Sequence, residues 1–232
     1  MRKEEREAPG KADIALMPPF QGLGLAQILV PRSHEDFIAA TRDLLQCRYV
    51  GFDTESKPTF DKGETSRGPH VVQLTTLKHA YIFQLWREHC CEHLCRILQS
   101  ADTVKVGFGL GSDRSHIRRK LGITPNALLD LDQVFRKQGY RRELGVKAAI
   151  AVLLGQKFQK SKSVAMSNWA LPELKDNQLL YAGNDAYAAR VVLELLDIDA
   201  AALPISHADT PKSAQSDAKA RRNTQRKSGS PA

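Results

Sequence analysis

Three short runs with the composition of β-strands follow one another between residues 48 and 86. The runs are RYVGFDTES, HVVQLTT and AYIFQLW, and each is rich in β-branched and aromatic residues. A polar stretch containing Gly and Pro separates the first run from the second, and a short link separates the second from the third. Successive strands joined in this way usually pair with each other, so the runs predict an antiparallel meander of three strands.

The pattern changes after residue 86 to an alternation of helices and strands. Apolar residues at three- and four-residue spacing predict a helix over residues 87–100, and TVKVGFG has the composition of a buried strand. We predict a helix in SDRSHIRRKLG, a further strand in ALLDLDQV and a helix over residues 144–154. This order predicts an α/β fold in which a mixed sheet, made of the antiparallel meander and parallel strands, is flanked by helices.

A long final helix is predicted to start near Pro172 and to run through LLYAGNDAYAARVVLELL. Pro172 suits a first helical turn, and the acids Glu173 and Asp176 favour the positive end of the helix dipole. The apolar face of this helix is continuous apart from Asp185. Because a charge on a face that packs into a core is costly unless it is compensated, Asp185 is a candidate functional residue.

The size and composition of the chain favour one folded domain. Its 232 residues, 42% of them hydrophobic, are enough to bury one core, which we place at residues 21–200. Residues 1–20 and the basic tail at residues 201–232 have few large apolar side chains with which to offset the entropy lost on ordering. We therefore expect both ends to be disordered.

The net charge of +8 is distributed unevenly along the chain. Residues 114–162 hold 12 Lys and Arg against 3 acids, and residues 207–232 hold 6 against 2. A positive block of this kind is expected in a protein that binds nucleic acid, because neutralising phosphates releases counterions. Basic, solvated helices are also common, so charge alone leaves both interpretations open.

Two other classes of protein are disfavoured. The chain has no apolar run of the roughly 18 residues that a membrane span needs, and its N-terminus has no small-residue cleavage pattern. Three of the four cysteines are crowded at Cys90, Cys91 and Cys95, unlike the spread framework of a disulfide-rich secreted domain. We expect a cytoplasmic protein without a membrane partner.

The first candidate site is the sequence Asp53-Thr54-Glu55 at the end of an apolar strand. Side chains alternate along a strand, so the two carboxylates project from the same face, close enough to share a cation. Ligation by oxygen alone, without His or Cys, favours Mg²⁺ or Mn²⁺ over Zn²⁺. A strand that simply ends in polar residues at a loop is the alternative.

The second candidate is Asp113, where VGFGLGSD leads from a strand through a glycine-rich turn into a basic helix. The ends of strands in α/β sheets collect ligand-binding groups, although Asp113 would also serve as a helix N-cap. The glycines lack the G-x-G-x-x-G spacing of a dinucleotide site.

The third candidate is the pair Tyr181 and Asp185, four residues apart in the final helix and therefore on one face. A phenol beside a metal-bound carboxylate can hold a water molecule for attack on phosphorus. For Tyr181 alone, packing in the core would be the default interpretation.

Together these segments resemble the three motifs of the DEDD superfamily of 3′–5′ exonucleases. The resemblance spans residues 30–197 and rests on GFDTE, VQL, VGFGLGSD, SNW and LLYAGNDAYAA, which occur in the order and at the spacing of the family. The sister branch has His five residues before the last Asp, and Leu180 occupies that position here. The chain thus resembles the Tyr-containing branch, which includes ribonuclease D and Werner-type exonuclease domains.

The resemblance implies a ribonuclease H-like fold and an enzyme. The implied reaction is two-metal-ion hydrolysis of phosphodiester bonds at the 3′ end of single-stranded or 3′-recessed nucleic acid, releasing nucleoside 5′-monophosphates. The implied cofactors are two divalent cations, Mg²⁺ or Mn²⁺. Their implied ligands are Asp53, Glu55, Asp113 and Asp185.

The resemblance also assigns roles to residues that hold no metal. Tyr181 is implied to orient the attacking water, and Gln73 and Leu74 lie where the family packs the terminal nucleotide. A preference for RNA or DNA depends on contacts to the 2′-hydroxyl and is not predicted. Two other functions stay open, a non-catalytic nucleic-acid-binding module and a phosphohydrolase of short oligonucleotides.

Overall fold

The computed structural model describes residues 6–59 and 66–208, and a six-stranded sheet lies at its centre. In chain order the strands are β1 (Ile28–Leu29), β2 (Tyr49–Glu55), β3 (Val71–Thr75), β4 (Ala80–Gln84), β5 (Val104–Gly107) and β6 (Leu128–Asp130). Their order across the sheet is β1-β4-β3-β2-β5-β6. The pairs β2–β3 and β3–β4 are antiparallel, whereas β1–β4, β2–β5 and β5–β6 are parallel. The predicted meander and mixed sheet are both present.

Helices flank the sheet. In the described ranges they are α1 (Lys11–Leu16), α2 (His34–Leu45), α3 (Cys90–Gln99), α4 (Gly111–Leu121), α5 (Leu131–Lys137), α6 (Val146–Leu154), α7 (Lys162–Ala165) and α8 (Asp176–Leu195). Short 3₁₀ turns occur at Leu25–Gln27 and Ala200–Ala202. None of these helices combines the length and the apolar character that crossing a membrane requires.

A hydrophobic core lies on each face of the sheet. Phe52 of β2 is buried on one face among side chains of α2, α3 and β4. On the other face, α8 packs across β2, β3, β4 and β5. Since side chains alternate along β2, the burial of Phe52 on the first face leaves Gly51, Asp53 and Glu55 on the face that α8 covers.

Gly51 allows α8 to approach β2 closely. A methyl group added at this glycine would collide with the backbone carbonyl of Ala186 in α8 and with the hydroxyl of Thr75 in β3. The facing side of α8 is built largely from small side chains, among them Ala182 and Ala189. The backbone of α8 therefore lies against β2, which brings the acids of the two elements together.

The prediction of a strand throughout ALLDLDQV is wrong, because β6 ends at Asp130 and α5 begins at Leu131. The Asp130 carboxylate accepts a hydrogen bond from the backbone N–H of Asp132 and so caps the new helix. A short alternation of Leu and Asp has the period of a strand, but it also suits a helix cap followed by a first helical turn.

The final helix begins at Asp176, later than the predicted start near Pro172. The Pro172 carbonyl accepts a hydrogen bond of 3.1 Å from the side-chain amide of Gln84, which ties this segment to β4 instead. The side chain of Gln178 accepts from the backbone N–H of Lys175 at 3.1 Å and closes the first turn of α8.

Both chain ends contact the domain within the described residues, which differs from the disorder expected for residues 1–20 and 201–232. Residues 6–20 contain α1, and backbone bridges join the ends to the domain at Arg6–Tyr140, Pro19–Lys157 and Leu128–Ser206. Composition does not reveal such contacts, because the backbone groups that make them occur in every residue. Residues 1–5 and 209–232 lie outside the described ranges, and the domain boundaries at 21 and 200 stay predictions.

Candidate active site

Three carboxylates converge at the carboxyl-terminal end of β2. Each of Asp53, Glu55 and Asp185 offers an oxygen atom, and these atoms lie within 4.8 Å of one another. Asp185 is buried, and the other two are half-buried. Three acids this close repel each other unless a cation lies between them, and an all-oxygen set suits a hard divalent cation. The residues present therefore fit a Mg²⁺ or Mn²⁺ site.

Asp113 lies beside this cluster. It is buried at the start of α4, and its Oδ1 accepts a hydrogen bond of 2.6 Å from the hydroxyl of Thr54. Its charge raises the pKa of both Asp53 and Glu55, so the four acids share one electrostatic environment. The structure brings together three of the four predicted ligands and places the fourth next to them, so metal binding by Asp113 stays a prediction.

The glycine-rich turn that delivers Asp113 depends on Asp130, which the sequence analysis does not single out as a site residue. The Asp130 carboxylate accepts hydrogen bonds from the backbone N–H groups of Gly109 and Leu110, each at 3.0 Å. Gly109 has a φ of +64°, a conformation that favours glycine. No signal in the sequence indicated this role, because Asp130 lies in the middle of the predicted strand ALLDLDQV.

Burial and like charge both raise the pKa values of Asp53 and Glu55. For Asp53 the largest cause is loss of solvation, followed by the charges of Asp185, Asp113 and Glu55, and its pKa lies well above the ordinary value. For Glu55 the same first cause, followed by the charge of Asp185, raises the pKa to about 8. Asp53 and Glu55 therefore bind protons more readily than ordinary carboxyl groups, and a bound divalent cation would reverse this effect.

Tyr181 lies one turn before Asp185 on α8, as predicted from the spacing. Its ring packs against the ring of Trp169, with centroids 5.9 Å apart. Burial raises the pKa of Tyr181, and the neighbouring acids add to this effect against the opposing charge of Lys160. The phenol therefore keeps its proton at neutral pH and can donate a hydrogen bond.

The SNW segment supports the first turns of α8. Trp169 is fully buried, and its indole N–H donates to the carbonyl of Ala165 at 3.0 Å. The side-chain amide of Gln178 donates to the Ser167 hydroxyl at 2.9 Å and to the Asn168 carbonyl at 3.2 Å. These contacts fix the segment against α8 and hold the Tyr181 ring in place.

Lys160 is a site residue that the sequence analysis does not single out. Its ammonium group forms an ion pair with Oδ2 of Asp185. Burial by itself lowers the pKa of Lys160, but the charges of Asp185 and Asp53 outweigh burial and hold the pKa above its ordinary value. The sequence shows only a basic run over residues 157–162, in which this lysine resembles its neighbours.

The match to a protein family covers the part of the chain that carries these residues. Residues 30–197 match the family model described as 3′–5′ exonuclease, and this range includes all four acids and Tyr181. The chain belongs to the 3′–5′ exonuclease family.

Similar proteins agree with this assignment. A 3′–5′ exonuclease of Arabidopsis thaliana is 26% identical over 150 residues, which are 64% of this chain and 52% of that protein. The chain thus spans about half the length of that relative. The Nibbler EXO domain of Aedes aegypti has a TM-score of 0.63 and 22% identity, covering 78% of this chain and 95% of that one.

A second solved structure has the same fold. Trypanosoma brucei RNase D in complex with RNA U12 has a TM-score of 0.65 and 18% identity, covering 84% of this chain and 68% of that one. The predicted ribonuclease H-like fold is confirmed.

The two predicted substrate-binding residues of this exonuclease-family domain occupy different faces of the sheet. Gln73 pairs with Asp53 across β2 and β3, and both atoms of its buried side-chain amide lack a hydrogen-bond partner among the described residues. Leu74 is fully buried in the core on the opposite face, beside Phe52. Leu74 therefore packs in the core, and contact of either residue with substrate stays a prediction.

Two cavities that share lining residues lie in this part of the exonuclease-family domain, and one of them contains acids of the cluster. One, of about 460 Å³, is lined by Asp53, Asp185 and Lys160 among others. The second, of about 1400 Å³, has a wall of basic side chains contributed by Arg6, Lys11, Arg141, Arg142, Lys147 and Lys157. Both cavities include Lys147, Ala148 and Lys160 in their linings, so the basic wall lies beside the cavity that contains Asp53 and Asp185.

Proposed function

We propose that this protein is a metal-dependent 3′–5′ exonuclease that releases nucleoside 5′-monophosphates from the 3′ end of a nucleic-acid strand. The observation that carries this proposal is the convergence of Asp53, Glu55 and Asp185 on elements that match the exonuclease family. The chemistry of the donor set supports Mg²⁺ or Mn²⁺ as cofactor.

Each acid has a proposed part in holding two divalent cations. Asp53 would help to hold both ions, because its carboxylate lies together with those of Glu55 and Asp185 and beside Asp113. Cations held there would supply an activated water and neutralise charge on the phosphate and on the leaving 3′-oxygen. The positions of the acids would determine where the cations are held before the strand binds.

Tyr181 is proposed to orient the attacking water. Its phenol is protonated, and its ring is held by packing on Trp169, so the hydroxyl keeps one direction. A donor fixed before reaction lowers the barrier without a cost of reorganisation. Asp185, one turn further along α8, lies on the same side of the helix.

The proposed substrate is a polymeric nucleic-acid strand, single-stranded or with a recessed 3′ end. The basic wall of the larger cavity supports this choice, since backbone phosphates bind to Lys and Arg without regard to sequence. The related T. brucei RNase D has been solved with RNA U12, which supports RNA as one of the strands to test.

A digestion assay tests the proposal. Purified protein is incubated with 5′-labelled single-stranded RNA, single-stranded DNA and recessed duplex DNA in Mg²⁺, Mn²⁺ or EDTA. We expect a ladder that shortens one nucleotide at a time from the 3′ end and disappears in EDTA. Internal cuts, or digestion that persists in EDTA, would overturn the proposal.

The same assay separates the other functions. A non-catalytic module would bind the labelled strand and leave it intact. An oligonucleotide-specific enzyme would degrade a dinucleotide and spare a longer strand. The Asp185→Asn variant, purified in parallel, shows whether any observed digestion belongs to this chain.

A further inference from the structure

Lys160 occupies a position that the proposed reaction does not account for. Its ammonium group is paired with Asp185, one of the acids proposed to hold metal ions. Because carboxylate oxygens of Asp53, Glu55 and Asp185 lie within 4.8 Å of one another, this ammonium group lies next to the whole cluster. One positively charged side chain thus partly neutralises the acids that a divalent cation would neutralise.

The backbone around Lys160 is held in place. The carbonyl of Lys160 accepts a hydrogen bond of 3.4 Å from the ammonium group of Lys147 in α6. Lys157 pairs with Pro19 through the backbone, and Ser161 caps α7 on the other side. Residue 160 is therefore fixed next to the acids, and only its side chain has to move for its ammonium group to change partner.

The Lys160 side chain can also reach into the larger, basic cavity. It lines both the cavity that contains the acids and the larger basic cavity, and 34% of the side chain is exposed, against 5% for Asp185. Its ammonium group lies 5.6 Å from the centre of the Tyr181 ring, at the edge of the proposed reaction site. A strand lying in the basic cavity would offer a phosphate within the range of this side chain.

A metal ion and the ammonium group cannot both contact the same oxygen of Asp185. Both are cations, and their mutual repulsion in a partly buried site is larger than the same repulsion in water. We infer that Lys160 competes with the metal ions for the acids. In the free protein its ammonium group partly neutralises the acidic cluster, and when a strand binds, the side chain moves so that the ammonium group pairs with a phosphate of that strand. Full metal loading is thereby coupled to strand binding. This inference rests on the proposed function.

The first test measures Mn²⁺ binding to the full chain without nucleic acid, by electron paramagnetic resonance or calorimetry. Lys160→Met removes the charge and keeps an apolar stem of similar length. We expect this variant to bind Mn²⁺ more tightly than wild type by about ten-fold, since a contact between two charges in a partly buried site is worth several times the thermal energy. Equal or weaker binding would overturn the inference.

Two further variants serve as controls. Lys160→Arg keeps the positive charge and should bind Mn²⁺ like wild type. Lys157→Met removes a neighbouring charge whose ammonium group donates to the Ala15 carbonyl at 3.0 Å instead of reaching the acids. It too should bind like wild type. If Lys157→Met gained as much Mn²⁺ affinity as Lys160→Met, the gain would come from the overall charge of the protein. That result would overturn the specific role of Lys160.

The second test measures the coupling to the strand. Mn²⁺ titrations are repeated with a short strand whose 3′-terminal phosphodiesters are replaced by non-hydrolysable methylenephosphonates. We expect the strand to strengthen Mn²⁺ binding in wild type and to do so less in Lys160→Met, whose site is already free of the competing ammonium group. The same gain in both proteins would overturn the coupling.

Melting temperatures supply a readout that is independent of turnover. In EDTA, Lys160→Met should melt below wild type because three crowded acids lose their counter-charge, and Mn²⁺ should raise its melting temperature by more. Asp185→Asn should lose Mn²⁺ binding in either background.

If wild type digests a strand and binds Mn²⁺ through Asp185 but Lys160→Met binds no more tightly, the inference alone fails. If wild type neither binds Mn²⁺ nor digests any strand, the proposed function fails with it.

Discussion

The acids at the candidate site differ in how many structural roles they have. Asp53 and Asp185 cap no helix; Asp53 accepts a hydrogen bond from the backbone N–H of Thr54, and Asp185 pairs with Lys160. Asp113, in contrast, is tied to Thr54 at the start of α4. Tyr181 is held by Trp169 and would pack equally well without its hydroxyl. Substitutions that remove a functional group and keep the shape of the side chain therefore separate function from packing.

Asp185→Asn is expected to reduce 3′–5′ degradation by about 100-fold or more, because one of the charges that hold the metal ions is lost. Asp53→Ala should have an effect at least as large. Circular dichroism spectra of both variants should match wild type. Full activity in either variant would rule out the assignment of the site.

Tyr181→Phe is expected to retain more activity than either Asp variant. Loss of one hydrogen bond worth about 1.4 kcal/mol corresponds to about a ten-fold fall in rate. The measurement is the rate of single-nucleotide release at saturating Mg²⁺. A loss as large as that of Asp185→Asn would mean that the phenol does more than orient a water molecule.

At the scale of elements, the meeting of β2 with α8 determines whether the acids converge. Gly51 in β2 and the small side chains of α8 allow this contact, and Asp185 reaches Asp53 and Glu55 because of it. A second element contact is made by β5, where the fully buried Lys105 donates to carbonyls at the end of α3 and in the following loop.

Gly51→Ala is expected to lower the free energy of unfolding by about 1–3 kcal/mol and to reduce activity, because the added methyl collides with the Ala186 carbonyl. Chemical denaturation and the degradation assay check the two effects. Gly24→Ala is the matched control, since its nearest neighbour would be 3.9 Å away. Equal stability of the two variants would show that α8 can shift without cost.

Lys105 makes the stability of the fold depend on pH. Burial lowers its pKa from 10.5 to about 7, so between these values the unfolded chain binds a proton that the folded chain does not. The stability of wild type relative to Lys105→Met should therefore rise between about pH 7 and 10.5, by at most about 1.4 kcal/mol per pH unit. Urea denaturation of both proteins at pH 6.5, 8 and 9.5 measures this difference. A difference that stays constant or falls with pH would contradict the prediction.

At the scale of the whole molecule, a wall of basic side chains lies beside the acidic site. The basic wall of the larger cavity combines side chains of the N-terminal segment with those of residues 141–157, which are far apart in the sequence. Residues 209–232 lie outside the described ranges and hold six further Lys and Arg against two acids.

Removal of residues 209–232 is expected to weaken strand binding in a salt-dependent way and to leave the chemical step unchanged. The truncation keeps His207 and Ala208, which contact Asn126. Binding is measured by fluorescence anisotropy between low and physiological salt, and the chemical step by single-turnover rates. Unchanged affinity at low salt would show that the tail does not contact the strand.

The sequence by itself determined the order of the elements, the mixed sheet and the identity of the candidate acids. These features depend on local periodicity and on motifs that are continuous in the chain, such as GFDTE and LLYAGNDAYAA. The strand and helix bounds near Asp130 and Asp176 were missed because both depend on backbone N–H groups that donate to side chains, a pairing that sequence periodicity does not reveal.

Only the tertiary structure decided which side chains meet. It placed Lys160 against Asp185, turned Leu74 into the opposite core, used Asp130 to hold the glycine-rich turn and built one basic wall from two distant segments. The physical reason is that charge and hydrogen-bond partners act over a few ångströms of space, whereas the spacing of residues along a chain limits distance only within one helix or strand.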